Sequence, residues 1–148
     1  MKRFCIFNAG GQRLALPMSC VRETIPSAEL VPMVLAPEFV RGLFALRGEI
    51  LSVLDLAPFV GAQIADDGDT RSALLIVEQD GVRFAVPVTR VSTAEVDTAQ
   101  LEPHPQSVIY PVLDAQSADE FGPFHILQFD RLQASVRQAL GFQQLTAA

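Results

Sequence analysis

The side chains best suited to catalysis or metal binding are two cysteines and two histidines, Cys5, Cys20, His104 and His125. Together they offer the ligand types of a zinc site, and a cysteine beside a histidine can form a reactive thiolate. Their spacing supports neither, because the chain has no C-x-x-C or H-x-x-x-H pair. His104 lies between prolines in EPHPQ, which predicts an exposed loop. We therefore expect no catalytic residue, no metal and no cofactor.

Two other stretches could bind ions. GAQIADDG, at residues 61–68, lacks the lysine and the glycine spacing of a phosphate-binding loop. Asp66, Asp67 and Asp69 could hold a cation weakly, but a solvated linker over residues 64–72 explains them better. The net charge is −6, with 17 acidic and 11 basic residues and no basic cluster. Nucleic acid is therefore not expected as a partner.

Two charged residues interrupt strongly apolar segments. Arg47 lies in LFALRGEILSVL, at the tip of a predicted hairpin, and Glu23 follows Val21 on a predicted alternating strand. Arg47 could solvate the turn, or it could present its guanidinium group to a partner's carboxylate. Glu23 could be an isolated surface charge or part of the same contact. The residue types alone leave both interpretations open.

An internal repeat marks the elements that must position these residues. GQRLALPMSCV at residues 11–21 and GVRFAVPVTRV at residues 81–91 are identical at five of eleven positions, 70 residues apart. Gly-Gly and Asp-Gly turns predict a β-hairpin in each copy, ending at Pro17 and at Pro87. A barrel of about 70 residues is marginal alone. The repeat therefore predicts two small β-barrels packed on each other.

Short helices are predicted at three places. Pro37 should open a helical turn that stops at Gly42. A second turn should follow Asp55, after two strands joined at Arg47-Gly48. Asp130 should cap a longer C-terminal helix that Gly141 ends.

The compartment is predicted from what the 148 residues lack. No apolar run approaches 18 residues, so no membrane insertion is expected, and the N-terminus does not read as a signal peptide. We expect a cytoplasmic protein with reduced cysteines. The first hairpin register places Cys5 opposite Leu16, so a disulfide to Cys20 is not expected.

The run VPMVLAPEFVRGLFALRGEILSVLDLAPFVG, residues 31–61, strongly resembles the CheW-like family. The family's Val-x-Gly step stands at Val40 and Gly42, and its Leu-Arg-Gly tip at residues 46–48. Its Asp-Leu ending stands at residues 55–56, and Val21-Arg22-Glu23 is similar to its Val-x-Glu. The likeness extends over nearly the whole chain.

The resemblance implies a fold and a function. The fold would be mainly β, with two packed SH3-like five-stranded barrels, short helices and a C-terminal helix. Residues 3–142 would form a single CheW-like domain, with strand exchange between the barrels left open. The function would be that of a non-enzymatic adaptor coupling chemoreceptors to a CheA-type histidine kinase. Its partners would be the kinase's regulatory domain and the cytoplasmic tip of a methyl-accepting chemoreceptor. The partner-binding residues carried over by position are Val21, Glu23, Gly42, Arg47 and Gly48.

Departures from the family pattern leave the choice of partner open. Ala45 and Ser52 replace a usual Asn and a frequent Pro, and Val88-Thr89-Arg90-Val91 replaces Val-Asp-x-Val. One alternative is a divergent adaptor of a motility or other chemosensory-like pathway, which binds a receptor without engaging the kinase. A small metal protein or enzyme that uses the cysteines and histidines is a further, weaker alternative.

Overall fold

The computed structural model describes residues 1–62 and 73–141 of the chain. The expected mainly β fold with a C-terminal helix is confirmed. The predicted linker at 64–72, with its three aspartates, lies outside the described residues, as does residue 142. No helix in the described ranges is long and apolar enough to cross a membrane. The elements are β1 Lys2–Ala9, β2 Gln12–Pro17, β3 Val21–Pro26, β4 Val40–Leu46, β5 Glu49–Leu54, β6 Ala73–Gln79, β7 Val82–Val96, β8 Glu102–Pro103, β9 Leu113–Asp119, β10 Gly122–Leu127 and α1 Phe129–Leu140, with short 3₁₀ helices at Met18–Cys20, Ala57–Phe59 and Thr98–Gln100.

The two predicted hairpins are β1–β2 and β6–β7. Their turns, at Gly10-Gly11 and Asp80-Gly81, have positive φ at both central residues, as type I′ turns require. Cys5 stands opposite Leu16 as expected, and Cys5 and Cys20 are both buried free thiols.

The strands form two SH3-like barrels that exchange their hairpins. Barrel A contains β1, β2, residues 89–96 of β7, β9 and β10, with β8 on its edge. Barrel B contains β3, β4, β5, β6 and residues 82–88 of β7. The β1–β2 hairpin therefore completes barrel A, whose remaining strands come after β6 in the sequence. The β6–β7 hairpin completes barrel B, whose remaining strands, β3, β4 and β5, come after β2.

Strand β7 runs through both barrels, so Pro87 does not end a strand as predicted. Pro87 lies between Ala85, which pairs with β5, and Thr89, which pairs with β1. The strand changes neighbours there, and a residue without an N–H is tolerated at such a place. Arg90 follows with φ +52°, where the pairing with β1 shifts register in a bulge.

Both faces of each hairpin are buried, which explains the apolar repeat. One face of β1–β2 fills barrel A, and the equivalent face of β6–β7 fills barrel B. The opposite faces pack against each other in a central core between the barrels. The barrel A interior is Phe4, Ile6, Ala15, Ala115, Phe124 and Ile126; the barrel B interior is Phe44, Leu51, Val53, Leu74, Ile76 and Ala85.

Two of the helix predictions need correction. Pro37 opens only a turn, with the Val40 amide donating to the Pro37 carbonyl at 3.0 Å, and Gly42 belongs to β4. Helix α1 is capped by Gln128, whose side chain accepts from the Arg131 amide, and not by Asp130. The 3₁₀ helix after Asp55 and the end of α1 at Gly141 are confirmed.

Candidate partner-binding site

The site expected at the β4–β5 tip is built on a tight turn. Arg47 and Gly48 are its central residues, with φ of +47° and +83°. A residue with a side chain adopts this conformation at some cost, which the type I′ turn requires at both of its central positions. The Arg47 side chain is 68% exposed. The tight turn thus presents a largely exposed guanidinium group.

Arg47 forms an ion pair with Glu23 of β3, which is one-third exposed. Within the part of the chain that the structure describes, β3 pairs with β6 and β4 pairs with β5, and no backbone ladder joins β3 to β4. The Arg47–Glu23 pair bridges this open seam of barrel B. The structure therefore brings together the two charges that the sequence singled out.

Val21 and Glu23 lie on opposite faces of β3, because a bulge at Arg22 shifts the register. Val21 stands opposite Val77 and packs against the central core. Glu23 stands opposite Ile76, on the face that lines barrel B. The two residues are close along the strand but serve different surfaces.

Gly42 is buried beneath Leu30 and Val31 and does not lie at the surface. The amides and carbonyls of Val31 and Leu43 hydrogen-bond each other at 2.8 Å, which holds Leu30 and Val31 against β4. A Cβ on Gly42 would lie 2.9 Å from the Leu30 Cβ and from the Val31 oxygen. Gly42 therefore shapes barrel B by permitting this approach.

A second set of charges, missed at the level of sequence, holds the same tip. Arg83 of β7 bonds Glu49 at 2.7 Å and Glu78 at 3.1 Å, and Arg22 bonds Glu78 at 2.7 Å. The hydrogen bonds from Arg22 and then Arg83 hold the pKa of the Glu78 carboxyl below its usual value. The tip is thus attached to β7 through Glu49 as well as to β3 through Arg47.

Barrel A repeats this arrangement with Arg13. Both terminal nitrogens of Arg13 bond the Asp119 carboxylate at 2.7 Å, and one also donates to the Gly122 carbonyl at 3.0 Å. The hydrogen bond from Arg13 lowers the pKa of Asp119. Arg13 and Arg83 stand 70 residues apart, each two residues after a hairpin turn. The recurrence of an arginine beside each turn is the sequence signal that could have indicated these contacts.

The cysteines and histidines do not form a common site. His104 is buried, with 4% of its surface exposed, and contacts His125, so the predicted exposed loop is wrong at this residue. Cys20 donates to the Gln79 side chain at 3.2 Å. Over residues 1–62 and 73–141, no three His, Cys, Asp or Glu side chains come together in a metal-binding arrangement.

Comparison with known proteins agrees with this architecture. The family model of the CheW-like domain matches residues 3–118. Protein FrzA of Myxococcus xanthus is 27% identical over 143 residues, which cover 93% of this chain and 88% of FrzA. The crystal structure of the scaffolding protein TtCheW from Thermoanaerobacter tengcongensis superimposes with a TM-score of 0.74 and 22% identity, over 86% of this chain and 88% of that one.

Proposed function

Because this chain belongs to the CheW-like domain family, we propose that it is a non-enzymatic adaptor that couples chemoreceptors to a CheA-type histidine kinase. The observation that carries the proposal is the β4–β5 tip, where the Leu-Arg-Gly motif is exposed and held from two sides. Arg47 is tied to β3 and Glu49 to β7. The proposal places the protein in the cytoplasm, where both partners present the relevant domains.

On the receptor side, the tip would meet the cytoplasmic end of the receptor's helical hairpin. Arg47 is held in place yet 68% exposed, so ordering it on binding costs little conformational entropy. Its guanidinium group would take a receptor carboxylate, with Glu23 fixing its direction from behind. Val21 and Gly42, which pack inward, would support this surface, and Gly48 would hold the turn.

On the kinase side, the partner would be the kinase's regulatory domain, which is built from similar barrels. The departure from the family pattern at Thr89-Arg90 coincides with the β7 bulge, where Arg90 is exposed. A partner docking along β7 would meet a basic group in place of an acidic one. The affinity for the kinase must therefore be measured separately from the affinity for the receptor.

The receptor contact is tested with Arg47→Ala. Co-purification from host cells identifies the receptor and kinase, and titration of their purified fragments then gives each affinity. Arg47→Ala should weaken receptor binding by about 1 to 3 kcal/mol, or roughly five- to 150-fold, since a charge-assisted contact at a small interface is lost. Glu23→Ala should weaken it less.

Arg131→Ala is the matched control, because Arg131 is also a partly exposed arginine in an ion pair: its side chain is 48% exposed and pairs with Asp114 of β9. It should bind both partners like the unaltered protein. Receptor binding by Arg47→Ala at full affinity, with normal folding, would show that the tip is only a solvated turn. Binding of the receptor without the kinase would favour the divergent adaptor instead.

A further inference from the structure

His104 and His125, the two histidines of the chain, form a directly hydrogen-bonded pair in barrel A. Nε2 of His104 lies 2.7 Å from Nδ1 of His125. Nδ1 of His104 lies 3.1 Å from the backbone nitrogen of Gln106. The buried imidazole of His104 therefore uses both of its nitrogens.

The Gln106 amide determines where the protons are. A backbone N–H only donates, so Nδ1 of His104 carries no proton. Neutral His104 then has its proton on Nε2 and donates it to Nδ1 of His125, which must also be unprotonated. Either ring can gain a proton only at a nitrogen that already accepts a hydrogen bond. Protonation of the pair therefore breaks one of these two bonds.

The charged groups on the surrounding elements do not bind the pair. Asp114 of β9 forms an ion pair with Arg131 of α1 at 3.5 Å, and Arg13 of β2 forms an ion pair with Asp119. Glu102 of β8 stands opposite Gln116, the β9 residue that also pairs with His125. Among the residues that the structure describes, neither imidazole has a carboxylate hydrogen-bond partner that would stabilise its charged form.

The pair anchors residues 104–110 of the loop between β8 and β9, whereas Val112 is buried in the central core and accepts from the Gln128 amide at 3.0 Å. The Ser107 amide donates to the His104 carbonyl at 3.2 Å, and the Tyr110 amide donates to the Gln106 carbonyl at 2.8 Å. The Tyr110 ring packs over Gly61, which lies just after the 3₁₀ helix Ala57–Phe59, so close that a Cβ on Gly61 would lie 2.8 Å from it. The loop thus carries a contact from barrel A to the segment after β5.

We propose that the His104–His125 pair is an acid-sensitive latch, in which uptake of a proton releases residues 104–110 and lifts Tyr110 from Gly61. In the imidazolium form, the newly protonated nitrogen would face the N–H that had donated to it, so the two donors would repel each other. The charged ring is better solvated in water than in its buried position, which favours the open loop. Release would also free Val108 and Ile109, already 91% and 71% exposed, from their fixed position.

The sign of the pH dependence follows from burial. Desolvation lowers the pKa of both histidines, and the neighbouring His125 lowers the pKa of His104 further. The open loop therefore binds protons more readily than the closed one. The closed loop is fully stable above about pH 6.5, the pKa of a solvated imidazole, and loses stability as the pH falls below it.

Tyr110 makes the proposal directly testable, because it is the single tyrosine and the chain has no tryptophan. Its fluorescence and the amide resonance of Gln106 should both change between about pH 6.5 and pH 5 in the full-length protein. The ratio of open to closed loop should rise about tenfold per pH unit for each proton taken up. Far-UV circular dichroism should stay constant over that range.

The control is His104→Gln combined with His125→Gln, which removes every imidazole from the chain. This variant should show no change in Tyr110 fluorescence between pH 7 and pH 5. An equal change in the variant would assign the transition to carboxylates and overturn the proposal. So would histidine NMR titrations of the unaltered protein with both midpoints at or above pH 6.5, a measurement that does not depend on the variant's folding.

Discussion

Arg13 and Arg83 are single side chains that do equivalent work in the two barrels. Each leaves a hairpin two residues after its turn and reaches the tip of a neighbouring hairpin. Arg13 binds Asp119 before the β9–β10 turn, and Arg83 binds Glu49 after the β4–β5 turn. Their positions in the repeat are explained by these contacts between hairpins, which lie far apart in sequence.

Arg13→Ala should lower the free energy of unfolding by about 1 kcal/mol at pH 7, because a bidentate, partly exposed pair is lost. The pKa of Asp119 is depressed in the folded protein, so this stabilisation is complete above the unfolded pKa of about 3.9. It disappears as the pH falls through the lower folded value. Urea unfolding at several pH values measures the difference, which should shrink below about pH 4. A difference at pH 2 equal to that at pH 7 would contradict the assignment.

The two thiols should be inert in the folded protein. Cys5 and Cys20 are 1% and 2% exposed, and burial raises the pKa of both. Alkylation by iodoacetamide should therefore be slow until the protein is unfolded. Cys5→Ala and Cys20→Ala should each cost about 1 to 2 kcal/mol of stability from lost packing, with receptor and kinase binding unchanged. Rapid native labelling of either thiol, followed by mass spectrometry, would show that the packing is looser.

The candidate site was only partly predictable from single residues. Arg47 and Glu23 stood out because each charge interrupts an apolar segment, but their mutual ion pair depends on the closure of barrel B, which no local pattern encodes. His104 was misjudged for a related reason. The prolines on both sides of His104 do indicate a turn. The burial of the His104 side chain, however, depends on its contact with His125 on another strand.

Among the elements, those with strong local signals were predicted well. Gly-Gly, Asp-Gly and Arg-Gly turns each join two strands, as expected from their need for positive φ. The start of α1 was misplaced by two residues, because Asp is a common N-cap and Gln is not, whereas here Gln128 caps the helix and Asp130 accepts from the Gln79 side chain. Similarly, Pro37 is a good first residue for a helix, but Val40 already pairs with Leu54 of β5, so only two residues separate Pro37 from the start of β4.

Strand β4 yields a prediction with an internal control. Gly42→Ala should destabilise the protein by about 2 to 4 kcal/mol, because its φ is +147° and the new methyl would meet Leu30 and Val31 at 2.9 Å. Gly48→Ala should cost only about 1 kcal/mol, since its φ is +83° but nothing lies within 4 Å. Chemical denaturation of the two variants gives the comparison. Equal losses would mean that Leu30 and Val31 do not pack on Gly42.

For the whole molecule, the repeat predicted two similar barrels but not which hairpin completes which barrel. The two hairpins bury equivalent positions, with Phe4, Ile6 and Ala15 corresponding to Leu74, Ile76 and Ala85 in the barrel interiors. The pattern of buried positions is therefore the same whichever barrel a hairpin completes. The observed pairing is a matter of chain connection, which similarity between repeats does not report.

The exchanged hairpins predict that neither half of the chain folds alone. A fragment of residues 1–62 has β1 and β2 without the other strands of barrel A, and it lacks the hairpin of barrel B. A fragment of residues 73–148 has the converse defect. Each should be largely unfolded by circular dichroism, and mixing them should restore a cooperative thermal transition.

The matched control is the same pair of fragments with Phe7→Asp. Phe7 is fully buried in the central core, and an unpaired charge there should prevent the two fragments from associating. Cooperative melting of either fragment by itself would show that a barrel is complete without exchange.

The pairing of β2 with β10 also determines how long part of the first hairpin stays unpaired during synthesis. Leu14 finds its neighbour His125 only after roughly 110 further residues have been made, which takes about 5 to 20 s at ordinary rates of synthesis. One apolar face of the first hairpin gains its native partner earlier, when β6 and β7 have been made. The face that fills barrel A stays uncovered until β9 and β10 follow, so it needs a chaperone or transient contacts within the nascent chain during that time.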